Sequence, residues 1–371
     1  MARSASRSRW TTVNVIDGCA WVKRPDLDRY VSRPPLYANV GHALVRAILP
    51  RRRYPCCALA DGATPSSAVL TSACPHALEP TAVLSYGVDS TDRLLLVDGH
   101  HLFHRTYNAL PRSIVGTDGA PIQGVYGFAG AFLRLVCRFS PTHVCVPFDP
   151  PEPPFRRALY PDYRTGRPRG TPEEVANFDR QVAQVGQVLD HLGVRHPLAP
   201  GFEADDVMGT LATAAAIAGL PVTIVSGDRD LLQVVGPGVD VFMPKGHEGE
   251  PYTPAVVQER WEVRPDQFTD LKALIGDTSD NIPGVPGIGP KTAAALLARH
   301  GTIDALYASL PSLPRRQADL LRAHQERVHL NRRLVTIVTT VDVSADMEGY
   351  RWASAEPWTA STLLAAVGLR R

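Results

Sequence analysis

No stretch of the 371-residue sequence approaches the roughly 18–20 consecutive apolar residues needed by a bilayer-spanning helix. A transmembrane reading is therefore excluded. Cysteine is scarce: there are six, Cys56 and Cys57 are adjacent, no CxxC pair occurs, and none has zinc-finger spacing. This excludes a disulfide scaffold and points to free thiols in a reducing compartment. The N-terminal MARSASRSRW is rich in Arg and Ser, yet Asp17, Lys23 and Arg24 interrupt the residues after it, so no apolar signal region is read there. Positive charge is also lacking where a polyanion-binding protein would show it. Residues 1–93 carry 12 Lys/Arg against 7 Asp/Glu, whereas residues 94–371 carry 27 against 30, a net of −3. A body of that charge engages a polyanion through local patches or bound cations.

With 44% of residues hydrophobic and 20% charged, the chain has the material for one large or two modest globular domains. Residues 1–93 show no sustained periodicity. Pro34-Pro35, Pro50 to Arg53 and the Ser/Thr/Pro/Ala stretch from Ala63 to Thr81 read as loop, and the segment is expected to be an unpatterned, disordered leader.

From Thr91 the texture changes. Leu94 to Val97, His143 to Phe148 and Val222 to Val225 are short continuous apolar runs, the pattern of strands buried on both faces of a parallel sheet. Helix-like stretches lie between them, at Val125 to Phe139, Pro172 to Leu192 and Ala204 to Ala218. The alternation predicts an α/β fold, with a core over residues 94–253. Residues 254–371 read as mainly helical, with a strand-like Leu334 to Val341 and a last helix over Ser361 to Val367.

Each of the three runs hands over to aspartate: Asp98, Asp149 and, after Ser226-Gly227, Asp228. One such Asp is an ordinary helix cap; three neighbouring parallel strands bring their ends to the edge where open α/β sheets bind ligands. More acids lie downstream. Glu203, Asp205 and Asp206 open a helix, Asp230 comes just after Asp228, and Asp277 and Asp280 are three apart. Carboxylates in a first turn gain about 0.3–1 kcal/mol from the helix dipole, which accounts for one or two of them but not for nine in five segments. If they converge, each close pair costs from about 1 kcal/mol in water to about 4 kcal/mol at an effective dielectric of 20, so cations must neutralise them. All-oxygen ligation selects hard ions, Mg²⁺ or Mn²⁺. Two such ions about 3.5–4 Å apart clamp the attacking and leaving oxygens of a phosphodiester, and metal-dependent phosphoryl transfer to water is the expected reaction.

Two segments suit a nucleic-acid polymer. Ile282 to Ala293, with Gly284, Gly287, Gly289, Lys291 and Thr292, looks like a helix-hairpin-helix, whose tight turn and helix N-terminus meet a sugar-phosphate backbone. Such contacts read backbone rather than base. The segment near 154–170 combines Arg156, Arg157, Arg164, Arg167 and Arg169 with Phe155, Tyr160 and Tyr163, a mixture that grips and stacks on single-stranded ends. Arg105, seven residues after Asp98, is a candidate phosphate ligand.

In order and spacing, LLLVDGHHLFHRTYNAL, VPFDPPEPPFRRALYPDYRTGRP, GFEADDV, IVSGDRDLLQ and LIGDTSDNIPGVPGIGPKTAAALL resemble the 5′→3′ exonuclease domain of bacterial type I DNA polymerases, in the flap endonuclease family. The similarity is strong from about Leu94 to His300 and weaker to about Leu369. It implies a mixed, mainly parallel sheet flanked by helices (a PIN-like nuclease core), then a C-terminal helix-hairpin-helix subdomain that holds duplex DNA and a monovalent cation such as K⁺. It implies one metal among Asp98, Asp149, Glu203, Asp205 and Asp206, and another among Asp228, Asp230, Asp277 and Asp280. Arg105, Arg156 and Arg167 match the family's basic residues near the scissile phosphate. Its substrates would be 5′ flaps and nicked or branched duplex, met by a monomer in the cytoplasm near the nucleoid. Two departures are visible. Tyr163-Arg164 stands where the family usually has Tyr-Lys, and Arg, although charged, is not a neutral exchange for Lys. No polymerase domain comes after it, so a nuclease standing alone is expected. The rival readings are a PIN-type ribonuclease, disfavoured by the helix-hairpin-helix and the arginine-rich arch, and a non-catalytic DNA-end-binding protein, disfavoured because no acid is missing.

Overall fold

The computed structural model describes residues 10–15, 18–23, 92–151, 154–165, 170–245, 248–352 and 358–369, in two compact units, Met1–Gly87 and Val88–Arg371. In the first unit, β1 (Trp10–Val15) and β2 (Gly18–Lys23) form an antiparallel hairpin, with Val15 opposite Gly18. The sequence reading assigned no strand there, although the β-branched Thr11, Thr12, Val13 and Val15 favour extended backbone. The rest of the expected leader up to residue 91 lies outside the described residues.

The second unit is organised by a sheet in the order β4-β3-β5-β6-β7. Its strands are β3 (Leu94–Val97), β4 (His143–Cys145), β5 (Val222–Val225), β6 (Val239–Lys245) and β7 (Glu248–Tyr252). β3 pairs in parallel with β4 and β5, placing Leu96 beside Cys145 and Ile224, and β5 pairs in parallel with β6. Only β7 runs antiparallel, at one edge. The expected mixed, mainly parallel sheet is therefore present. The β6–β7 hairpin went unread because its run is broken by Asp240 and Pro244.

Successive β3 residues enter opposite cores. Leu94 and Leu96 join Ile224, Val241 and the helix residues Val207, Met208 and Leu211; Leu95 and Val97 join Val144, Val225, Phe103, Phe128, Phe132 and Leu189. Burial on both faces explains why the strand reads as an unbroken apolar run. The first core takes its apolar stripe from α5 (Ala204–Ile217). The second is covered by α1 (Gly99–Ala109), α2 (Gln123–Phe139), α4 (Pro172–His191) and α12 (Ala360–Ala366). A short α3 (Phe155–Leu159) comes after β4.

Beyond Thr253, which caps α6 (Pro254–Trp261), the chain is helical: α7 (Phe268–Ile275), α8 (Pro290–His300), α9 (Ile303–Ala308), α10 (Arg315–Ala323) and α11 (Gln325–Val335). Between α7 and α8 a small ladder pairs β8 (Gly276–Asp277) with β9 (Ile282–Pro283). Gly276, in β8, and Gly284, just after β9, approach each other closely. A Cβ on Gly276 would lie 2.3 Å from Gly284 N, and one on Gly284 would lie 2.1 Å from Ile275 O, so neither position admits a side chain.

The strand expected over Leu334 to Val341 is not formed. Its first two residues end α11, and the extended backbone after them finds partners in side chains instead of a neighbouring strand. Ile337 N–H donates to Gln233 Oε1 at 3.0 Å, Val338 N–H to Asp206 Oδ1 at 2.8 Å and Val341 N–H to Thr210 Oγ1 at 3.2 Å. Backbone groups that must be satisfied are thus met without a ladder.

Candidate active site

The C-terminal ends of β3, β4 and β5 meet where the strand order reverses about β3, the usual ligand crevice of an open α/β sheet. Asp98 caps α1, accepting His101 N–H at 2.8 Å on Oδ1 and Ser226 Oγ–H at 2.7 Å on Oδ2. Ser226 in turn accepts Asp228 N–H at 3.0 Å, so one hydroxyl links the acids after β3 and β5. Asp149 accepts Ala204 N–H at 2.8 Å, tying the end of β4 to the start of α5, whose first turn carries Asp205. Among the described residues, none of Asp98, Asp149, Asp205 and Asp228 forms an ion pair with Lys, Arg or His.

That quartet is electrostatically strained. Burial, with Asp228, Asp98, Asp149 and Glu203 adding repulsion, holds the Asp205 carboxyl well above the usual carboxylate range. Burial likewise pushes Asp98 up to about 7, with Asp149 and Asp228 adding to the rise and the bonds from His101 and Ser226 opposing it. Asp230 is also pushed up to about 7, by burial first and by Asp228 next.

The other five acids already hold the protein's own cations. Asp206, fully buried, receives Arg156 Nη1 at 2.7 Å and Nη2 at 2.8 Å, together with the N–H groups of Glu203 at 3.0 Å and Val338 at 2.8 Å. Both of its oxygens are saturated. Arg156 completes its fork on Glu203 Oε2 at 3.0 Å and on the carbonyls of Leu334 and Thr336, both at 2.8 Å. The expectation that Asp206 ligates metal and Arg156 meets phosphate is therefore corrected. Spacing put them in the acidic and basic sets, but their mutual bidentate bond turns both inward, where they fasten the segment after α11 to α5.

Arg164 pairs with Glu203 and, at 3.0 Å, with Asp280, its guanidinium 5.0 Å from the centre of the Tyr163 ring. The Tyr163 hydroxyl lies 2.9 Å from Glu203 Oε2 and 3.0 Å from Asp280 Oδ2. Tyr163 and Arg164 are thus locked to the start of α5 and to the residues before β9. Burial holds Glu203 above its ordinary range despite both arginines. Lys272, in the last turn of α7, reaches Asp230 at 2.9 Å and pairs also with Asp277. Arg105 lies half-buried on α1, and Arg167 lies outside the described residues. Gly287, Gly289, Lys291 and Thr292 are exposed around the N-terminus of α8, with Val285 and Ile288 buried as anchors; open space surrounds the Cα atoms of Gly287 and Gly289.

Sequence reasoning missed Ser226 and Lys272. Ser226 directly follows β5, two residues before Asp228, which was signal enough. A lysine in a helix's last turn is ordinary complementation of the dipole, so Lys272 carried none.

Among the described residues, no three His, Cys, Asp or Glu side chains already close into a metal shell. The donor chemistry nevertheless fits a hard divalent ion: the quartet offers only oxygen, has no paired cation among the described residues, and repels itself.

The raised carboxyls make stability depend on pH. Asp98 and Asp230 titrate near 7 in the folded chain and near 3.8 when unfolded, so the folded state binds more protons across that window. Stability contributed by their protonated forms is present at low pH and lost as pH rises through the folded value. Burial lowers His100, His101 and His143, which contribute in the opposite sense, so the acid is read by difference. In chelator, the melting temperature of the wild type relative to Asp98→Asn is expected to fall between about pH 5 and pH 8, with added Mg²⁺ restoring the wild type more at the higher pH. A difference that is flat or rising with pH would contradict the strained quartet.

A family model for the 5′-3′ exonuclease N-terminal resolvase-like domain matches residues 93–262, and one for the 5′-3′ exonuclease C-terminal SAM fold matches residues 263–357. The chain is 44% identical over 263 residues to the thermostable DNA polymerase I of Thermus filiformis, covering 70% of this chain and 30% of that protein. It is 40% identical over 264 residues to DNA polymerase I of Chloroflexus aurantiacus, covering 70% and 28%. It thus spans about a third of the length of these curated relatives. The D15 protein of bacteriophage T5, crystallised with metal ions, shares the fold, with a TM-score of 0.57 at 23% identity, over 67% of this chain and 90% of that one. Since the two models succeed each other along most of the chain, it belongs to the 5′-3′ exonuclease family.

Proposed function

We propose that this chain hydrolyses phosphodiester bonds of DNA at 5′ ends, on flaps and on nicked or branched duplex, with Mg²⁺ or Mn²⁺ held by Asp98, Asp149, Asp205 and Asp228. The observation carrying this reading is that quartet: four carboxylates at the sheet's switch point with no cation paired to them among the described residues, beside five acids that each have one. A bound divalent ion there supplies Lewis acidity to the phosphodiester and lowers the pKa of bound water.

The chain's own groups do the placing. His101 N–H and Ser226 Oγ–H fix the Asp98 carboxylate, and Ala204 N–H fixes Asp149. Tyr163 and Arg164 bind Glu203 and Asp280 instead of facing solvent, which holds their segment against the start of α5. The turn before α8 offers exposed glycine backbone to sugar-phosphate, and the helix N-terminus offers free N–H groups; this turn is also where K⁺ is proposed to sit. A body of net charge −3 meets DNA through such local contacts rather than through its mean field.

Incubation of labelled 5′-flap, nicked duplex and single-stranded RNA with Mg²⁺ tests the reading: the DNA substrates are expected to be shortened from the 5′ side, and equal or faster cutting of the RNA would overturn it. Separately, Lys291→Ala is expected to weaken binding to every duplex sequence alike and to flatten the salt dependence of affinity by a slope of about 0.9, one B-DNA phosphate contact. Anisotropy titrations over a salt series read this directly; a loss confined to particular sequences would show that Lys291 reads bases.

A further inference from the structure

The nine acids divide unevenly in charge. Among the described residues the quartet pairs with no cation, whereas Asp230 and Asp277 share one: the Lys272 ammonium, 12% exposed, lies 2.9 Å from Asp230 and pairs with Asp277. The two acids come from separate elements, the turn after β5 and β8, and the ammonium joins them. Asp230 also borders the quartet, since its N–H donates to Asp228 Oδ1 at 2.8 Å.

The residue type matters. The chain has four lysines, Lys23, Lys245, Lys272 and Lys291, against 39 basic residues in all. At the other internal pairs, Arg156 and Arg164 fork onto their carboxylates. A guanidinium held bidentately is a fixed partner, while an ammonium on a flexible four-carbon stem is a compact charge that can swing aside. Moreover, an ammonium and a hard divalent ion compete for the same oxygens, so a second ion entering between Asp230 and Asp277 must displace the lysine.

Building on the reading that these acids serve divalent ions, we infer that Lys272 is an internal counter-cation standing in for the second ion, so that the chain binds two divalent ions in sequence, the first at the quartet and the second in competition with Lys272. Between turnovers, the lysine keeps Asp230 and Asp277 together and compensated. The second ion then binds more weakly than the first, which makes its occupancy the step sensitive to divalent concentration.

Calorimetric titration of the full chain with Mn²⁺ alone, without DNA, tests this. The wild type is expected to show a tight and a weak phase. Lys272→Met and Lys272→Gln are expected to tighten the weak phase tenfold or more and leave the tight phase in place, whereas Lys272→Arg keeps it weak. A weak phase unchanged or weakened in both neutral variants would overturn the inference and leave Lys272 as a brace for its two acids. No Mn²⁺ binding in the wild type would overturn the proposed metal-dependent function as well, so the two failures are distinguishable. Should neither neutral variant fold, the wild type decides. With ¹⁵N-labelled lysine, only four side-chain resonances arise, and that of Lys272, assigned by its loss in Lys272→Arg, is expected to move in the second phase of a Mg²⁺ titration. Movement completed in the first phase, or none, would overturn the inference.

Discussion

Asp228→Asn is expected to lower the single-turnover cleavage rate by about a thousandfold or more, while the metal-free chain melts at the same temperature or higher. The rate effect comes from charge: loss of a ligand that secures a divalent ion removes several kcal/mol of transition-state stabilisation, and each 1.36 kcal/mol is about tenfold in rate. Stability moves the other way because Asp228 raises the cost of ionising Asp98, Asp205 and Asp230. Asn retains the oxygen that accepts Asp230 N–H as the cap of the turn over Arg229–Val234, so the local backbone is kept. Removal of a negative charge beside phosphate also leaves DNA binding intact or tighter. Rate measurements with saturating enzyme, paired with melting in chelator, read both halves. A rate within a few-fold of wild type would remove Asp228 from the site; a large loss of melting temperature would make it structural.

Arg156→Met is expected to act in the opposite sense, costing about 3–5 kcal/mol of folding stability, the usual consequence of leaving a buried charge without its partner. The stranded group is Asp206, fully buried on α5. The carbonyls of Leu334 and Thr336 lose their donors in the same step, which loosens the segment running back over α5. A double variant, Arg156→Met with Asp206→Leu, is expected to recover part of the loss, since an apolar pair of similar volume can replace an ion pair. Denaturant midpoints measure this, and a single-variant cost below about 1 kcal/mol would show that the pair is not the clamp described.

These two residues mark the boundary of what the sequence could reveal. Strands that end in Asp98, Asp149 and Asp228 were legible because burial on both faces writes an apolar run and the sheet's connectivity gathers its C-terminal ends. The turn before α8 was legible because Gly284, Gly287 and Gly289 ahead of Lys291-Thr292 write a tight turn that opens a helix, and Gly287 does take the left-handed backbone. Partnership was not legible. Asp205 and Asp206 are adjacent acids in one helical turn, and only tertiary packing turns one to the crevice and the other to Arg156, 50 positions away. The same holds for Arg164, drawn to Asp280 across 116 positions, and for the extended residues after α11, whose apolar pattern suits a strand but whose hydrogen bonds go to Gln233, Asp206 and Thr210. Pattern specifies burial; it does not name the atom that satisfies a charge.

That division between neighbours gives the most direct measurement. Mn²⁺ binding to the metal-free chain, monitored by electron paramagnetic resonance at a temperature where each variant is folded, should be compared for Asp205→Asn and Asp206→Asn. The substitutions are chemically identical and one residue apart. Loss of the tight ion in Asp205→Asn, with its retention in a destabilised Asp206→Asn, is the predicted result. Equal loss in both, or loss in Asp206→Asn alone, would contradict the assignment of the metal to Asp98, Asp149, Asp205 and Asp228.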